Sequence, residues 1–309
     1  MRLSIRGCAT DGVSTLSKIG KFDAEVRVVS MWAEIGSAVW HDRKAIVGLC
    51  ILAAFTVMAL LAPYIAPYDP FKIVGAPYQP PSAKHILGTD NLGRDVFSQV
   101  VWGARVSLFV GLAVALAVTI TGVTVGLVAA TSHPLIDEAL MRLCDIMIIV
   151  PKLPLTVFTA ALLGRGVYNI IIVLSIFGWP SIARVVRSEV LSIKQRTYVD
   201  AARVAGAGQL QIMLHIVLPN VLPLVTANAL LAIISGIMSE ASLSFLGLGD
   251  PSQMSWGTMI YFANIGGAIY HGCWAWVAVP GLCIALFGLG MHLLTSAINV
   301  VANPRLRRW

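Results

Sequence analysis

Tyr198-Val199-Asp200-Ala201-Ala202-Arg203-Val204-Ala205-Gly206 is followed, nine residues on, by Ile216-Val217-Leu218-Pro219, and the stretch sits between two long apolar runs. Its composition predicts a short helix over residues 192–205. Ala201, Ala202 and Ala205 recur at spacings that share one helix face, and small side chains there let another surface approach closely. Gly206 and Gly208 supply the freedom for positive φ with which helices commonly end. Pro219 stands where the next apolar run begins, near a first helical turn that tolerates proline. The result is a helix–glycine–helix knob too small for a core of its own. Such a knob suits docking into a groove on a partner, and an ordinary interfacial helix pair fits the same residues.

Outward from this knob the chain is overwhelmingly apolar. Of its 309 residues 57% are hydrophobic and 12% charged, whereas soluble domains carry about 25% charged residues. Much of the surface must therefore face lipid. A spanning helix needs roughly 20 apolar residues, at about 1.5 Å of rise each. Six runs qualify: residues 45–66, 106–130, 141–163, 167–183, 219–246 and 273–301, the third interrupted by Asp145, Pro151, Lys152 and Pro154. Residues 257–271 are also apolar, but Asn264, Gly266-Gly267 and His271 read as a re-entrant or interfacial segment. Residues 1–44 are polar and mixed in charge, unlike a secretory signal, so the run at 45–66 is expected to remain as a span.

The net charge of +7 falls in short clusters between these runs, the pattern that orients membrane proteins rather than one that grips nucleic acid. With the N-terminus inside, the segments assigned to the cytoplasm hold sixteen of the 22 basic residues, including Arg43, Lys44, Arg184, Arg187, Lys194, Arg196, Arg203, Arg305, Arg307 and Arg308. The segments outside hold Lys72, Lys84, Arg94, Arg105 and Arg165, while Lys152 lies at membrane depth. Both termini are thus expected in the cytoplasm, with residues 68–105 as an external insert and 184–218 as a cytoplasmic loop. Pro67-Tyr68-Asp69-Pro70 and Pro80-Pro81 start the insert in extended conformation. None of the five cysteines forms a CxxC pair, which argues against a disulfide framework or a zinc site.

The knob resembles the coupling loop of ABC importer permeases, whose pattern is Glu-Ala-Ala, three residues, Gly, nine residues, Ile-x-Leu-Pro. This chain matches at Ala201, Ala202, Gly206, Ile216, Leu218 and Pro219, with Asp200 in place of the usual Glu. Further stretches are Leu87-Gly88-Thr89-Asp90-Asn91-Leu92-Gly93-Arg94-Asp95-Val96-Phe97-Ser98, Gly103-Ala104-Arg105-Val106-Ser107-Leu108, and Arg142-Leu143-Cys144-Asp145 with Pro151 beyond. Glu240-Ala241-Ser242-Leu243-Ser244-Phe245-Leu246-Gly247-Leu248-Gly249 and Trp256-Gly257 complete the set. Together they resemble the dipeptide/oligopeptide permeases, and the "C" member of their permease pair, over residues 45–309. The chain departs from the family at its end. Residues 291–299 and Asn303-Pro304 carry neutral polar groups where the family has an acidic, Arg-Asp-containing stretch.

The resemblance implies an all-α membrane protein with six transmembrane helices, the type I ABC importer permease fold with a cytoplasmic coupling helix. It implies a multi-pass cell-membrane location, with a cytoplasmic segment 1–44 and a permease domain 45–309. It also implies partners: a second homologous permease, two ATP-binding subunits and an extracytoplasmic solute-binding protein, in membrane lipid. Asp200, Ala201, Ala202, Ala205, Gly206, Ile216, Leu218 and Pro219 would contact the ATPase. Substrate classes in the family include dipeptides, oligopeptides, nickel chelates, glutathione and oligosaccharides, with peptides favoured here.

Single residues complete the reading. Glu240 lies deep in the fifth run, where a carboxylate costs roughly 2.5–3.5 kcal/mol; it reads as a pore or gate residue, or as a helix-end carboxylate reaching the interface. Asp145 and Lys152 lie seven apart on one face. Asp145 fits the cytoplasmic interface or a pair with a partner chain, and Lys152, between Pro151 and Pro154 in a kink, fits a cavity-facing position. His292 reads as a packing residue before a metal ligand. No phosphate-binding Gly-x-x-x-x-Gly-Lys-Ser/Thr loop, HExxH or Ser/His/Asp arrangement occurs, so no catalytic site, cofactor or metal is expected. An ion-coupled secondary carrier, the rival transporter class, often shows inverted repeats, and no repeat links the halves of this sequence.

Overall fold

The computed structural model describes residues 42–302, with Gly36 and Trp40. The rest of segment 1–44, and Arg305, Arg307 and Arg308, lie outside the described residues. The helices are α1 (Arg43–Leu60), α2 (Ala62–Ile65), α3 (Val96–Thr131), α4 (Pro134–Ile149), α5 (Lys152–Leu163), α6 (Val167–Lys194), α7 (Thr197–Val204), α8 (Gln209–Ile212), a π-helical turn (Met213–Val217), α9 (Leu218–Phe245), α10 (Trp256–Ile265) and α11 (Trp274–Ala302). Among the described residues five helical stretches are long and apolar enough to cross a membrane, and six if α4 and α5, bent by 90°, form one span. Val150 and Pro151 make that break, in the run that its prolines mark as interrupted.

α3 begins ten residues before the apolar run that announces it, so residues 96–105 belong to a helix and not to the insert. The cause is local. Asp95 caps the helix, its Oδ2 accepting from the Ser98 N–H at 2.8 Å, and the polar residues of the first turns are buried by protein rather than set in lipid. At 36 residues α3 is about 54 Å long, well beyond the hydrocarbon thickness. α6 likewise runs on past residue 183 to Lys194. Its added turns are held by Arg187, which donates through two nitrogens to the carboxylate of Asp137, and by Lys194, which donates to the Ala130 carbonyl at 2.9 Å.

Glycines set how closely the long helices meet. A β-carbon on Gly111 of α3 would lie 2.5 Å from Ile237 of α9, and one on Gly126 would lie 2.7 Å from the Ala183 carbonyl of α6. Hydrocarbon tails give helices no hydrophobic reason to associate, so close approach through small residues supplies the packing energy. α3 packs against α6 and α9, α1 against α11, and α9 joins the two groups. One buried cluster joins Val110, Val114, Val118, Leu174 and Val186; the other gathers Leu52, Trp256, Met259, Trp276 and Phe287. The outer faces are apolar too: Phe109, Leu112, Leu116 and Ile120 make an exposed stripe at helical spacing on α3, as a surface facing lipid or another membrane chain requires.

Residues 256–265 form a ten-residue helix, too short to span. Ser255 and Thr258 start it with a reciprocal capping box. Trp256 and Met259 bury it, and the Trp256 indole donates to the Val100 carbonyl at 3.1 Å.

Candidate functional site: the knob and the membrane cavity

The knob is a helix of eight residues, Thr197–Val204, set off from α6 by a break at Gln195–Arg196. It ends in a left-handed residue: Gly206 has φ +87°. The Ala207 N–H donates to the Ala202 carbonyl and the Gly206 N–H to the Arg203 carbonyl, each at 3.0 Å, the pairing of a Schellman cap. Gly208 differs from expectation. It has φ −66° and precedes α8 as its N-cap, so the turn needs one left-handed residue only.

The three alanines do not share one exposed face. Ala201 and Ala205 are exposed, while Ala202 is half-buried against the core that includes Val199, itself 0% exposed. The outward face of α7 instead joins Ala201 and Ala205 with Val204, 89% exposed, at spacings of three and four; Leu210 on α8 is separately exposed at 73%. A valine and a leucine in a polar connecting segment were the signal for both. The knob has no core of its own, but Val199, Ile212, Met213 and Val217 continue the core of the long helices into it. Asp200 is exposed and accepts from Arg203 at 2.8 Å.

Pro219 lies in the first turn of α9, as expected, one residue beyond the π-helical turn. The helix does not start afresh there, because the chain from Gln209 to Phe245 is helical throughout. A widened turn of this kind absorbs the missing N–H and the ring of a proline within a helix. Ile216 and Leu218 flank buried Val217 on this junction, both half-buried.

A cavity of about 360 Å³ opens between α5 and α9, lined by Lys152, Thr156, Ser235, Ser239 and Ser242 among apolar neighbours. A second, of about 200 Å³, shares Lys152, Ser235 and Ser239 and adds Asn228 and Ser181. Asn228, Ser235, Ser239 and Ser242 form a polar stripe along α9 at spacings of seven, four and three, a signal present in the sequence of that apolar run. Lys152 begins α5 at the bend, with Pro151 as its N-cap; both are exposed. Asp145 faces Arg184 in a half-exposed ion pair.

Glu240 is on the same helix but turned away from the cavity. It is 3% exposed, and its Oε1 accepts from the hydroxyls of Ser244 and Ser255, both at 2.7 Å. The carboxylate thus ties α9 to the capping box of α10. Among the described residues no three His, Cys, Asp or Glu side chains gather as a metal site, and His292 is exposed on α11.

The insert between α2 and α3 is built by residues 87–98. Asp90 Oδ1 accepts from the N–H groups of Leu92 and Arg94, each at 2.8 Å, and its Oδ2 accepts from Gln99 at 2.8 Å. Gly93 has φ +82°, and a β-carbon on it would lie 2.1 Å from the Gly75 carbonyl oxygen. Tyr78 carries the insert across to α10: its hydroxyl donates to the Gly266 carbonyl at 2.6 Å, and its ring stacks on His271.

The long apolar helices of this arrangement define an integral membrane protein. Residues 122–308 match the family described as "binding-protein-dependent transport system inner membrane component", and residues 30–81 match "N-terminal TM domain of oligopeptide transport permease C". The chain belongs to this family of inner-membrane transport components, which are not enzymes. It is 38% identical over 275 residues to the di/tripeptide transport system permease protein DppC of Pseudomonas aeruginosa (strain UCBPP-PA14), covering 86% of this chain and 90% of that one. It is 34% identical over 285 residues to the oligopeptide transport system permease protein OppC of Bacillus subtilis (strain 168), covering 91% and 92%. A chain of the MetNI methionine ABC transporter in an inward-facing conformation has the same fold, with TM-score 0.53 and 20% identity over 65% of this chain and 96% of that one.

Proposed function

We propose that this chain forms half of the translocation pathway of an ATP-driven importer of di- or oligopeptides. The observation that carries this reading is the knob: an exposed apolar face of Ala201, Val204 and Ala205 on α7, backed by a core continuous with that of α3 and α6. A patch of this kind meets a partner, and its rigid backing transmits the partner's movement to the long helices. Two ATP-binding subunits close on ATP and move the knobs of two homologous permeases. The pair rocks between openings to either side of the membrane, and a solute-binding protein delivers substrate from outside. Similarity to di/tripeptide and oligopeptide permeases supports the peptide class. The knob lies on the cytoplasmic side with both termini, and the insert on the outer side, as the charge distribution directs.

The test is reconstitution. The tagged chain should bring down ATP-binding subunits and a second permease, and proteoliposomes of that complex with its binding protein should take up a dipeptide only when ATP is supplied. Uptake driven by an ion gradient without ATP would assign a secondary carrier. ATP-driven uptake of nickel chelate, glutathione or oligosaccharide but not peptide would move the substrate class.

A further inference from the structure

We infer that Lys152 receives the carboxylate end of a peptide crossing the cavity between α5 and α9; this rests on the peptide-importer reading above.

The lining of the two adjoining cavities holds one cation, Lys152, with the hydroxyls of Thr156, Ser181, Ser235, Ser239 and Ser242 and the amide of Asn228. Among the described residues it holds no carboxylate. Among the described residues Lys152 takes part in no ion pair. Asp145 pairs with Arg184, and Glu240 is buried outside the lining, with one oxygen accepting from Ser244 and Ser255. A lone ammonium at membrane depth is costly and marks an ion or substrate path. No described residue pairs with its charge, which leaves it to meet a mobile anion. A peptide carries such an anion at one end. Hydroxyls around a lysine can complete the hydrogen bonds of a carboxylate, and about 360 Å³ lies within the range of small-ligand sites. Apolar Leu153, Ile234, Met238 and Leu246 on the same wall leave peptide side chains unselected, as a carrier of varied peptides needs.

The test uses the complete reconstituted complex with its binding protein, and Ala-Ala as free acid and as C-terminal amide. Each variant's uptake of each peptide is divided by the wild-type uptake of that same peptide, which cancels the binding protein's own preference. K152M and K152Q should lower free-acid uptake about tenfold and leave the amide within about twofold, while K152R should retain both. Equal losses for acid and amide, or no loss for either, would overturn the inference while leaving the importer reading intact. Wild-type complex that takes up neither peptide would instead sink the peptide reading itself. A second measurement needs no transport: acetylation of Lys152 by acetic anhydride, followed by mass spectrometry. Protection by excess Ala-Ala but not by its amide is expected. Equal protection, or none, counts against the carboxylate contact.

Discussion

His85 Nδ1 lies 2.9 Å from Asp95 Oδ1 where neither side chain is more than 2% exposed. The other oxygen of Asp95 accepts from the backbone and hydroxyl of Ser98. One carboxylate therefore both starts α3 and fastens the insert to it. Removing a helix-capping side chain costs about 0.5–2 kcal/mol, and orphaning buried donors adds to this. Asp95→Ala should lower the melting temperature of the purified protein clearly, and Asp95→Asn less, because the amide oxygen still caps. Thiol-reactive dye melting in detergent reads the difference; equal melting of Asp95→Ala and wild type would refute the role.

Gly93 and Gly206 both have positive φ, at +82° and +87°, but only Gly93 is crowded. An alanine at Gly206 meets nothing within 4 Å, so its cost is the left-handed strain alone, about 1–2 kcal/mol. An alanine at Gly93 carries the same strain and also collides with the Gly75 backbone. Gly93→Ala should reduce the yield of monodisperse protein far more than Gly206→Ala, as size-exclusion profiles of tagged chains would record. The reverse order would contradict the crowding.

Glu240 illustrates what the sequence withholds. Its depth in an apolar run was legible, but the direction in which it points was not, because Ser244 and Ser255 reach it from two elements joined by a loop. Glu240→Ala leaves both hydroxyls without that acceptor inside the protein, at about 1–3 kcal/mol for each group left unsatisfied. The expected outcome is loss of stable protein before loss of transport. Glu240→Gln keeps an acceptor oxygen and should accumulate better. Normal accumulation of Glu240→Ala with impaired uptake would instead return Glu240 to the pathway.

The helices themselves were readable because lipid demands long apolar runs and protein interiors do not forbid them. Their ends were less so. Ser98, Gln99 and Arg105 read as loop residues since they do not belong in lipid, yet the insert buries Ser98 and Gln99 within α3. The positive φ of Gly206 was anticipated from its place after a helix, whereas the half-burial of Ala202 depends on which way α7 rolls against α6 and α8. Spacing alone fixes the angle between side chains and leaves that roll open.

Membrane orientation is tested at two exposed or terminal sites. On a cysteine-free background, a cysteine at position 84 should react with a membrane-impermeant reagent in intact cells, and one at position 307 should not. Labelling in the opposite sense would place the knob outside and remove its access to ATP-binding subunits.

The roll of α7 decides which substitutions report on coupling. Ala202 packs against the chain's own core, so Ala202→Trp would overfill that packing, typically at about 1–3 kcal/mol, and would confuse misfolding with uncoupling. Ala205 is exposed beside Val204 and Gly206, on the face proposed to dock on the ATPase. Ala205→Trp should leave the chain folded and in the membrane, yet weaken capture of ATP-binding subunits or let them hydrolyse ATP without uptake. Val204→Asp should do the same by placing a charge in an apolar contact. Asp200→Asn should be milder, since it keeps the shape and Arg203 already pairs with Asp200 within the helix. The measurement is ATPase co-purification together with substrate-stimulated hydrolysis and uptake in proteoliposomes. If Ala205→Trp and Val204→Asp both match wild type in all three, the exposed face of α7 is not where the ATPase grips, and the proposed route from hydrolysis to transport must lie elsewhere.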